Sequence, residues 1–159
     1  GKQCGICAKA CPYGAITVEV GTAAEVVTAK CHGCGGCVGE CPHNAITQMH
    51  YTDAQVLSQI RALLADKPEE KIFAFRCHWC SYGGADLAGT SHFEYSANGR
   101  GIRVMCSARM DADFIYEAFR LGAGAEGAGW FFGVELPGVL VVGGDAEEDR
   151  LVALGNHAG

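Results

Sequence analysis

The feature that most constrains this chain is a cysteine pattern that occurs twice, 30 residues apart. A proline follows the last cysteine of each copy, and the aligned pairs are Cys4 with Cys34, Cys7 with Cys37 and Cys11 with Cys41. The second copy also contains Cys31, whereas Gly1 stands at the equivalent place of the first. Because the segment that contains both copies is short, it buries little apolar surface. Groups bound by its cysteines must therefore supply much of its order.

The second copy matches the bacterial ferredoxin run C-x2-C-x2-C-x3-C-P in full, from Cys31 to Pro42. In two-cluster ferredoxins, three cysteines of each run bind one [4Fe-4S] cluster and the last cysteine binds the other. We therefore predict one cluster held by Cys31, Cys34, Cys37 and Cys11, and a second held by Cys4, Cys7 and Cys41.

The second predicted cluster lacks a fourth thiolate, because Gly1 has no side chain to donate. Three explanations stay open: a truncated or altered N-terminus whose native residue is cysteine, a [3Fe-4S] cluster, or an exogenous fourth ligand. Zinc in both motifs is a weaker alternative, since zinc sites seldom repeat a three-cysteine run with a Cys-Pro ending.

Composition narrows the class of protein. The chain has 159 residues, ten cysteines, 49% hydrophobic residues and a formal charge of −6. Its lysines and arginines are scattered, which argues against a nucleic-acid partner. Cysteines clustered in C-x-x-C spacing suit metal binding in a reducing compartment better than disulfides, so we expect a cytoplasmic protein.

The order of predicted elements indicates three parts. Residues 1–50 are predicted to form an α+β bacterial-type 2[4Fe-4S] ferredoxin domain, with a hairpin between residues 17 and 30. Residues 51–71 are a connecting helix and linker, with a capping box of Thr52 and Gln55. Residues 72–159 alternate strand and helix, including a helix with Asp111 as N-cap and Gly122 as terminator, which predicts an α/β domain with a small, mainly parallel sheet.

Residues 127–144 are the longest apolar stretch, but Glu135 and Pro137 interrupt it. This favours two strands joined by a turn over a transmembrane helix.

A second group of cysteines lies in the α/β part. Cys77 and Cys106 each follow a predicted strand, so parallel strands would bring them to one edge of the sheet, and Cys80 completes a C-x-x-C with Cys77. Three interpretations stay open: a catalytic dithiol of Cys77 and Cys80, a zinc site with His78 or His92, or a [2Fe-2S] cluster with an unknown fourth ligand.

Two stretches resemble known families. The runs CHWCSYGGADLAG, RVMCSARMDADFIYEAF and LGAGAEG resemble the delta subunit of methyl-viologen-reducing hydrogenase. The ferredoxin-like run through YTDAQVLSQI resembles the C-terminal end of the heterodisulfide reductase A subunit. Their fusion is similar to the B subunit of the quinone-interacting membrane-bound oxidoreductase complex of sulfate reducers.

The resemblance implies an electron relay between a membrane quinone pool and adenylylsulfate reductase, at the inner face of the membrane. It also implies flavoprotein and quinone-interacting partner subunits, with FAD on a preceding portion of the protein. A relay from hydrogenase or formate dehydrogenase to heterodisulfide reductase is the nearest alternative. The chain itself shows no substrate site.

One departure weakens the resemblance at the second cysteine group. The delta-subunit family continues with further cysteines, whereas this chain has none after Cys106. A retained [2Fe-2S] cluster, a zinc or bare thiol site, and an inert remnant kept for docking remain alternatives there. Two other hypotheses for the whole chain are a thiol–disulfide oxidoreductase and a module whose clusters only stabilise an interaction surface.

Overall fold

A computed structural model describes residues 4–94, 97–123 and 139–142. In these ranges the elements are short, and helices alternate with strands from α3 onward. The helices are α1 Ile6–Ala10, α2 Gly36–Gly39, α3 Asp53–Leu63, α4 Ser81–Thr90 and α5 Ala112–Arg120. The strands are β1 Ile16–Thr17, β2 Glu25–Val26, β3 Ile72–Cys77, β4 Gly99–Val104 and β5 Val139–Val142, and 3-10 turns span Pro68–Glu70 and Ser107–Arg109.

A small hairpin joins the two cysteine motifs. β1 and β2 pair antiparallel, with Ile16 opposite Val26, which confirms the predicted hairpin. Each strand has only two residues, fewer than the predicted runs. Among the described residues before position 50, the buried apolar side chains are Ala15, Ile16 and Val38. So small a core leaves the segment dependent on bound groups and on its neighbours.

Helix α3 begins at the predicted capping box. The Thr52 hydroxyl accepts a hydrogen bond from the Gln55 backbone N–H at 3.3 Å, and the Thr52 N–H donates to Gln55 Oε1 at 3.0 Å. The helix does more than connect, because its apolar face packs into the same core as β3 and β4. The buried residues of that face are Val56, Ile60 and the following Leu64.

The β3–α4–β4 unit has the parallel arrangement that the alternating pattern predicts. Cys77, the last residue of β3, lies opposite Val104, the last residue of β4. Phe73 and Phe75 of β3 are both buried, as is Ala74 between them. Consecutive buried residues mean that both faces of this central strand are covered. The carboxyl ends of the two strands therefore meet at one edge.

Strand β5 departs from the predicted mainly parallel sheet. It pairs antiparallel with β3, with Phe75 opposite Leu140, and the strand order is β4–β3–β5. The described sheet is therefore mixed, with one parallel and one antiparallel pairing. Sequence indicates strand direction where a tight turn or a crossover helix joins two strands, whereas β4 and α5 lie between β3 and β5 along the chain.

The apolar stretch 127–144 contains β5, which confirms a strand there. The other predicted strand, residues 130–134, lies outside the described residues. Within the ranges given above, no helix is both long and apolar enough to span a membrane.

Helix α5 begins and ends where the sequence predicts. The Asp111 carboxylate accepts a hydrogen bond from the Asp113 N–H at 3.0 Å, which makes Asp111 the N-cap. Gly122 follows the helix with a left-handed φ of +92°, which glycine adopts without strain. Phe114 and Ala118 are buried against the sheet and α3.

An ion-pair group ties α5 to α3. The Glu117 carboxylate accepts hydrogen bonds from Arg61 Nε of α3 at 2.7 Å and from Arg120 Nε at 2.7 Å. The hydrogen bonds from Arg120 and Arg61 lower the pKa of Glu117 from its ordinary 4.5 to about 2.

Replacing Glu117 by Gln is therefore expected to lower the urea midpoint of unfolding at neutral pH. A carboxylate whose pKa is lower in the folded than in the unfolded state stabilises the fold at pH values above its unfolded-state pKa. This stabilisation disappears as the pH falls through the folded-state pKa. The difference from wild type should shrink between pH 4.5 and about 2. Glu25→Gln, at an exposed site on β2, is the matched control. A Glu117→Gln deficit that persisted unchanged at the acid end would contradict this account.

Candidate metal centres

The two cysteine motifs have the same backbone form. Gly5 and Gly35 precede α1 and α2 with left-handed φ values of +66° and +84°. Each motif then ends in a second left-handed residue, Gly14 in the first copy and Asn44 in the second. The sequence repeat is therefore also a repeat of local geometry, which glycine and asparagine permit at these positions.

The last cysteine of each motif accepts a backbone hydrogen bond at sulfur. The Ala15 N–H donates to Cys11 Sγ at 3.3 Å, and the Ala45 N–H donates to Cys41 Sγ at 3.4 Å. Backbone hydrogen bonds, that from Ala45 foremost, lower the pKa of the Cys41 thiol. Donors directed at sulfur stabilise thiolates, the form that binds metals.

The Cys37 thiol is influenced by cysteines of both motifs. Burial raises the pKa of the Cys37 thiol, and the negative charges of Cys34, Cys31 and Cys11 raise it further. The rings of Tyr13 and His32, 4.1 Å apart between centroids, also bring the Cys11 and Cys31 segments together. The group contains the four residues that the sequence assigns to one cluster, although their ligation remains a prediction.

These four residues suit an iron–sulfur cluster. Their mutual repulsion as thiolates is the kind that a cationic metal core relieves. A further donor is already in position, since the Gly33 N–H lies 3.4 Å from Cys31 Sγ. The donor set and the N–H groups directed at sulfur together fit the group that the motif predicts.

The second predicted set is about as exposed as the first, in which Cys31 is exposed and the other three cysteines are half-buried. Cys4 is exposed, and Cys7 and Cys41 are half-buried. Position 1, where the fourth ligand is missing, lies outside the described residues. The assignment of Cys4, Cys7 and Cys41 to a second cluster stays a prediction.

The third group lies at the edge formed by β3 and β4. Cys77 is buried at the end of β3, and its thiol lies 3.6 Å from the Met105 carbonyl. Cys80 is exposed immediately before α4, and half-buried Cys106 follows β4. The two strand ends therefore meet as the sequence predicts.

The candidate zinc ligands at this edge differ in their surroundings. His78 lies beside the Trp79 ring, 5.5 Å between centroids, while His92 is exposed beyond the end of α4. In the part of the chain that the structure describes, no three His, Cys, Asp or Glu side chains form a group that could hold a single metal ion.

The turn Ser107–Arg109, directly after Cys106, packs against the second cysteine motif. A Cβ on Gly36 would lie 3.4 Å from Ala108 Cβ and 3.9 Å from Cys34 Sγ. A Cβ on Gly39 would lie 3.0 Å from the Ala108 carbonyl oxygen. Helix α2 can approach the turn this closely because it carries glycine on that side. We call this contact the glycine junction.

The sequence did not indicate three residues that organise this region. Arg109, Gln48 and Gly35 meet beside the junction, where a Cβ on Gly35 would lie 2.7 Å from Arg109 Cδ and 2.5 Å from Gln48 Oε1. No motif links them, since Arg109 and Gly35 are far apart along the chain. The one available signal was the glycine content of the second motif.

Two parts of the chain match different family models. Residues 3–52 match the LdpA Fe-S cluster-binding domain. Residues 72–128 match the methyl-viologen-reducing hydrogenase, delta subunit. No solved structure matches the chain.

Relatives among the curated proteins fall into the same two groups. The chain is 45% identical over 75 residues to the ferredoxin:CoB-CoM heterodisulfide reductase A subunit of Methanosarcina mazei, which is 46% of this chain and 10% of that protein. It is 50% identical over 60 residues to the F420-non-reducing hydrogenase vhc iron-sulfur subunit of Methanococcus voltae, covering 38% of this chain and 42% of that protein. The vhu iron-sulfur subunit of Methanococcus maripaludis is 47% identical over 57 residues, covering 36% and 42%.

These matches confirm both resemblances seen in the sequence. The chain joins an iron–sulfur cluster-binding segment to a hydrogenase delta-subunit-like segment. It spans about a tenth of the heterodisulfide reductase relative and about two fifths of the hydrogenase subunits. Its relatives are subunits of heterodisulfide reductases and hydrogenases.

We expect Gly39→Ala to destabilise the protein by about 1–3 kcal/mol, the usual cost of overpacking a close contact. The added methyl group would meet the backbone oxygens of Ala108 and Met110, at 3.0 and 3.1 Å. Gly83→Ala in α4 is the matched control, because nothing lies within 4 Å of its added Cβ. Alanine should be neutral there or stabilising by up to about 1 kcal/mol. Equal urea unfolding midpoints for the two variants would contradict the close junction.

Proposed function

We propose that this chain is an iron–sulfur electron-relay segment of a multi-subunit oxidoreductase. The observation that carries the proposal is the glycine junction. Ala108, two residues after Cys106, lies against Gly36, which neighbours Cys34. Two groups of cysteines thus flank one packed contact, an arrangement suited to short-range electron transfer.

Each predicted site has a defined set of ligands. Cys31, Cys34, Cys37 and Cys11 would hold one [4Fe-4S] cluster, and Cys4, Cys7 and Cys41 would hold a second cluster, of [4Fe-4S] or [3Fe-4S] type. Such clusters supply one-electron transfer when bound. The surrounding N–H groups of Ala15, Gly33 and Ala45 orient the thiolates and compensate their charge.

The third group has a different proposed role. Either Cys77, Cys80 and Cys106 would hold a [2Fe-2S] cluster through which electrons enter or leave the delta-subunit-like part, or they form an iron-free site: zinc, bare thiols, or an inert remnant kept for docking. The position of Cys106 at the start of the turn that contacts α2 supports this assignment. Iron analysis of a variant without these three cysteines distinguishes the two forms.

The relay also requires partner proteins that donate and accept its electrons. We propose a flavin-bearing portion and a quinone-interacting membrane subunit on one side, and adenylylsulfate reductase on the other, with the relay at the inner face of the membrane. The presence of both segments in one chain supports this. The names of the relatives favour a second candidate, transfer from hydrogenase or formate dehydrogenase to heterodisulfide reductase.

The two candidate functions differ in which enzyme accepts electrons from the reduced protein. The reduced protein would be mixed anaerobically with adenylylsulfate reductase or with heterodisulfide reductase. Stopped-flow absorbance would measure how fast the signal of the reduced protein is lost. Selective reoxidation by adenylylsulfate reductase supports the first candidate. Selective reoxidation by heterodisulfide reductase supports the second, and no reoxidation by either rejects both.

If the protein were instead a thiol–disulfide oxidoreductase, Cys77 and Cys80 would be its catalytic pair. One of the pair must react as an accessible thiolate. Cys77 is buried, with a relative exposure of 4%, while Cys80 is exposed. Rapid, pH-dependent alkylation of either thiol in the metal-free protein, together with disulfide exchange, would favour that enzyme over a relay.

Cys11→Ser is expected to abolish the signal of the cluster assigned to the second motif, although Cys11 belongs to the first. About four iron atoms per chain should be lost if one cubane fails to form. Cys4→Ser should spare that signal and affect the other site. Iron and sulfide analysis with electron paramagnetic resonance measures both variants. Loss of the same signal in both would refute the exchange of ligands between motifs.

A further inference from the structure

Arg109 is the one fully buried charged residue among the described residues, with a relative exposure of 0%. Its Nε and Nη2 atoms donate to the Tyr51 carbonyl oxygen at 3.3 and 3.2 Å, and Nη2 also pairs with Asp53. The guanidinium carbon lies 5.1 Å from the centroid of the Phe114 ring. These contacts fix the side chain between the two parts of the chain.

The same side chain also contacts the second cysteine motif at Gly35. A Cβ on Gly35 would stand 2.7 Å from Arg109 Cδ, so the stem passes against the residue next to Cys34. Gly35 also needs its left-handed φ of +84° to begin α2. Arg109 therefore contacts the loop that carries Cys34 and Cys37.

The charge of Arg109 is only partly compensated. Within the described residues, Arg109 Nη1 has no hydrogen-bond partner, and neither has Gln48 Oε1, which also lies beside Gly35. The side chain of Asp53 is 42% exposed, whereas that of Arg109 is 0% exposed. Water screens the carboxylate more than the buried cation, so Asp53 offsets the charge of Arg109 only in part.

We propose that Arg109 is a positioning residue that raises the reduction potential of the site formed by Cys31, Cys34, Cys37 and Cys11. This inference rests on the proposed cluster-binding function. Reduction adds one electron to the site, taken from a viologen mediator that loses one electron, and makes the site more negative by one charge. A buried cation nearby stabilises the more negative state. Arg109 thus sets how readily this site accepts an electron, besides holding the motif against the turn.

The test is a mediated redox titration of the iron-loaded protein, followed by electron paramagnetic resonance. Arg109→Met removes the charge and keeps much of the side-chain volume, and is expected to lower the ratio of reduced to oxidised sites about tenfold at a fixed potential, or about 59 mV for one electron. Arg109→Lys should recover most of the wild-type value. Arg100→Gln, at an exposed site at the start of β4, is the control and should leave the potential unchanged.

Asp53→Asn provides a test with the opposite sign. This substitution leaves Arg109 in place and removes the negative charge of Asp53, so the reduction potential of the site should rise. A merely structural role for Arg109 predicts no such opposite shifts, because loosening the junction has no reason to change sign between the variants. If Arg109→Met does not fold, a rise in Asp53→Asn supports the inference and an unchanged value overturns it.

The outcomes separate this inference from the function on which it rests. A wild-type protein that binds no iron and gives no signal would refute both. A normal wild-type signal, with equal potentials in Arg109→Met and Arg100→Gln, would overturn the role of Arg109 alone. Urea midpoints measured alongside report how far each variant is destabilised.

Discussion

The buried guanidinium of Arg109 is the interaction on which the arrangement of the two parts depends. Burying an uncompensated charge is costly, so the group persists only where hydrogen bonds and a counter-charge surround it. Tyr51 and Asp53, at the start of α3, supply these, and Phe114 supplies an aromatic face. Arg109, in the turn after β4, thereby connects the cysteine motif, the connecting helix and α5.

The two cysteine motifs are alike in backbone but unlike in environment. Gly36 and Gly39 allow the second motif to pack against the turn, whereas the equivalent residues of the first motif are Ile6 and Lys9. Those two side chains are exposed. Similar ligand loops therefore face different surroundings, one against protein and the other toward solvent. The surroundings of a cluster are among the main determinants of its potential, so we expect the two predicted sites to differ in potential.

The α/β part presents its cysteines through ordinary sheet geometry. β3 is covered on both faces, and the parallel pairing with β4 places Cys77 level with Val104. The short path from Cys106 to Ala108 then connects this edge to α2. A βαβ unit that ends beside a metal-binding loop joins the two segments, which match separate families, into one continuous structure.

The sequence by itself determined the local elements. The spacing of Cys31 to Pro42 indicated the cluster motif, Thr52 and Gln55 indicated the start of α3, and Asp111 indicated that of α5. Each is a signal within a few residues, because capping and ligand loops use neighbours along the chain. The antiparallel direction of β5 and the burial of Arg109 had no such signal. The Arg109–Asp53 contact spans 56 residues, and only the folded core brings those residues together. Tertiary structure therefore decided which cysteine motif lies against the second part, because that choice depends on packing between surfaces distant in sequence.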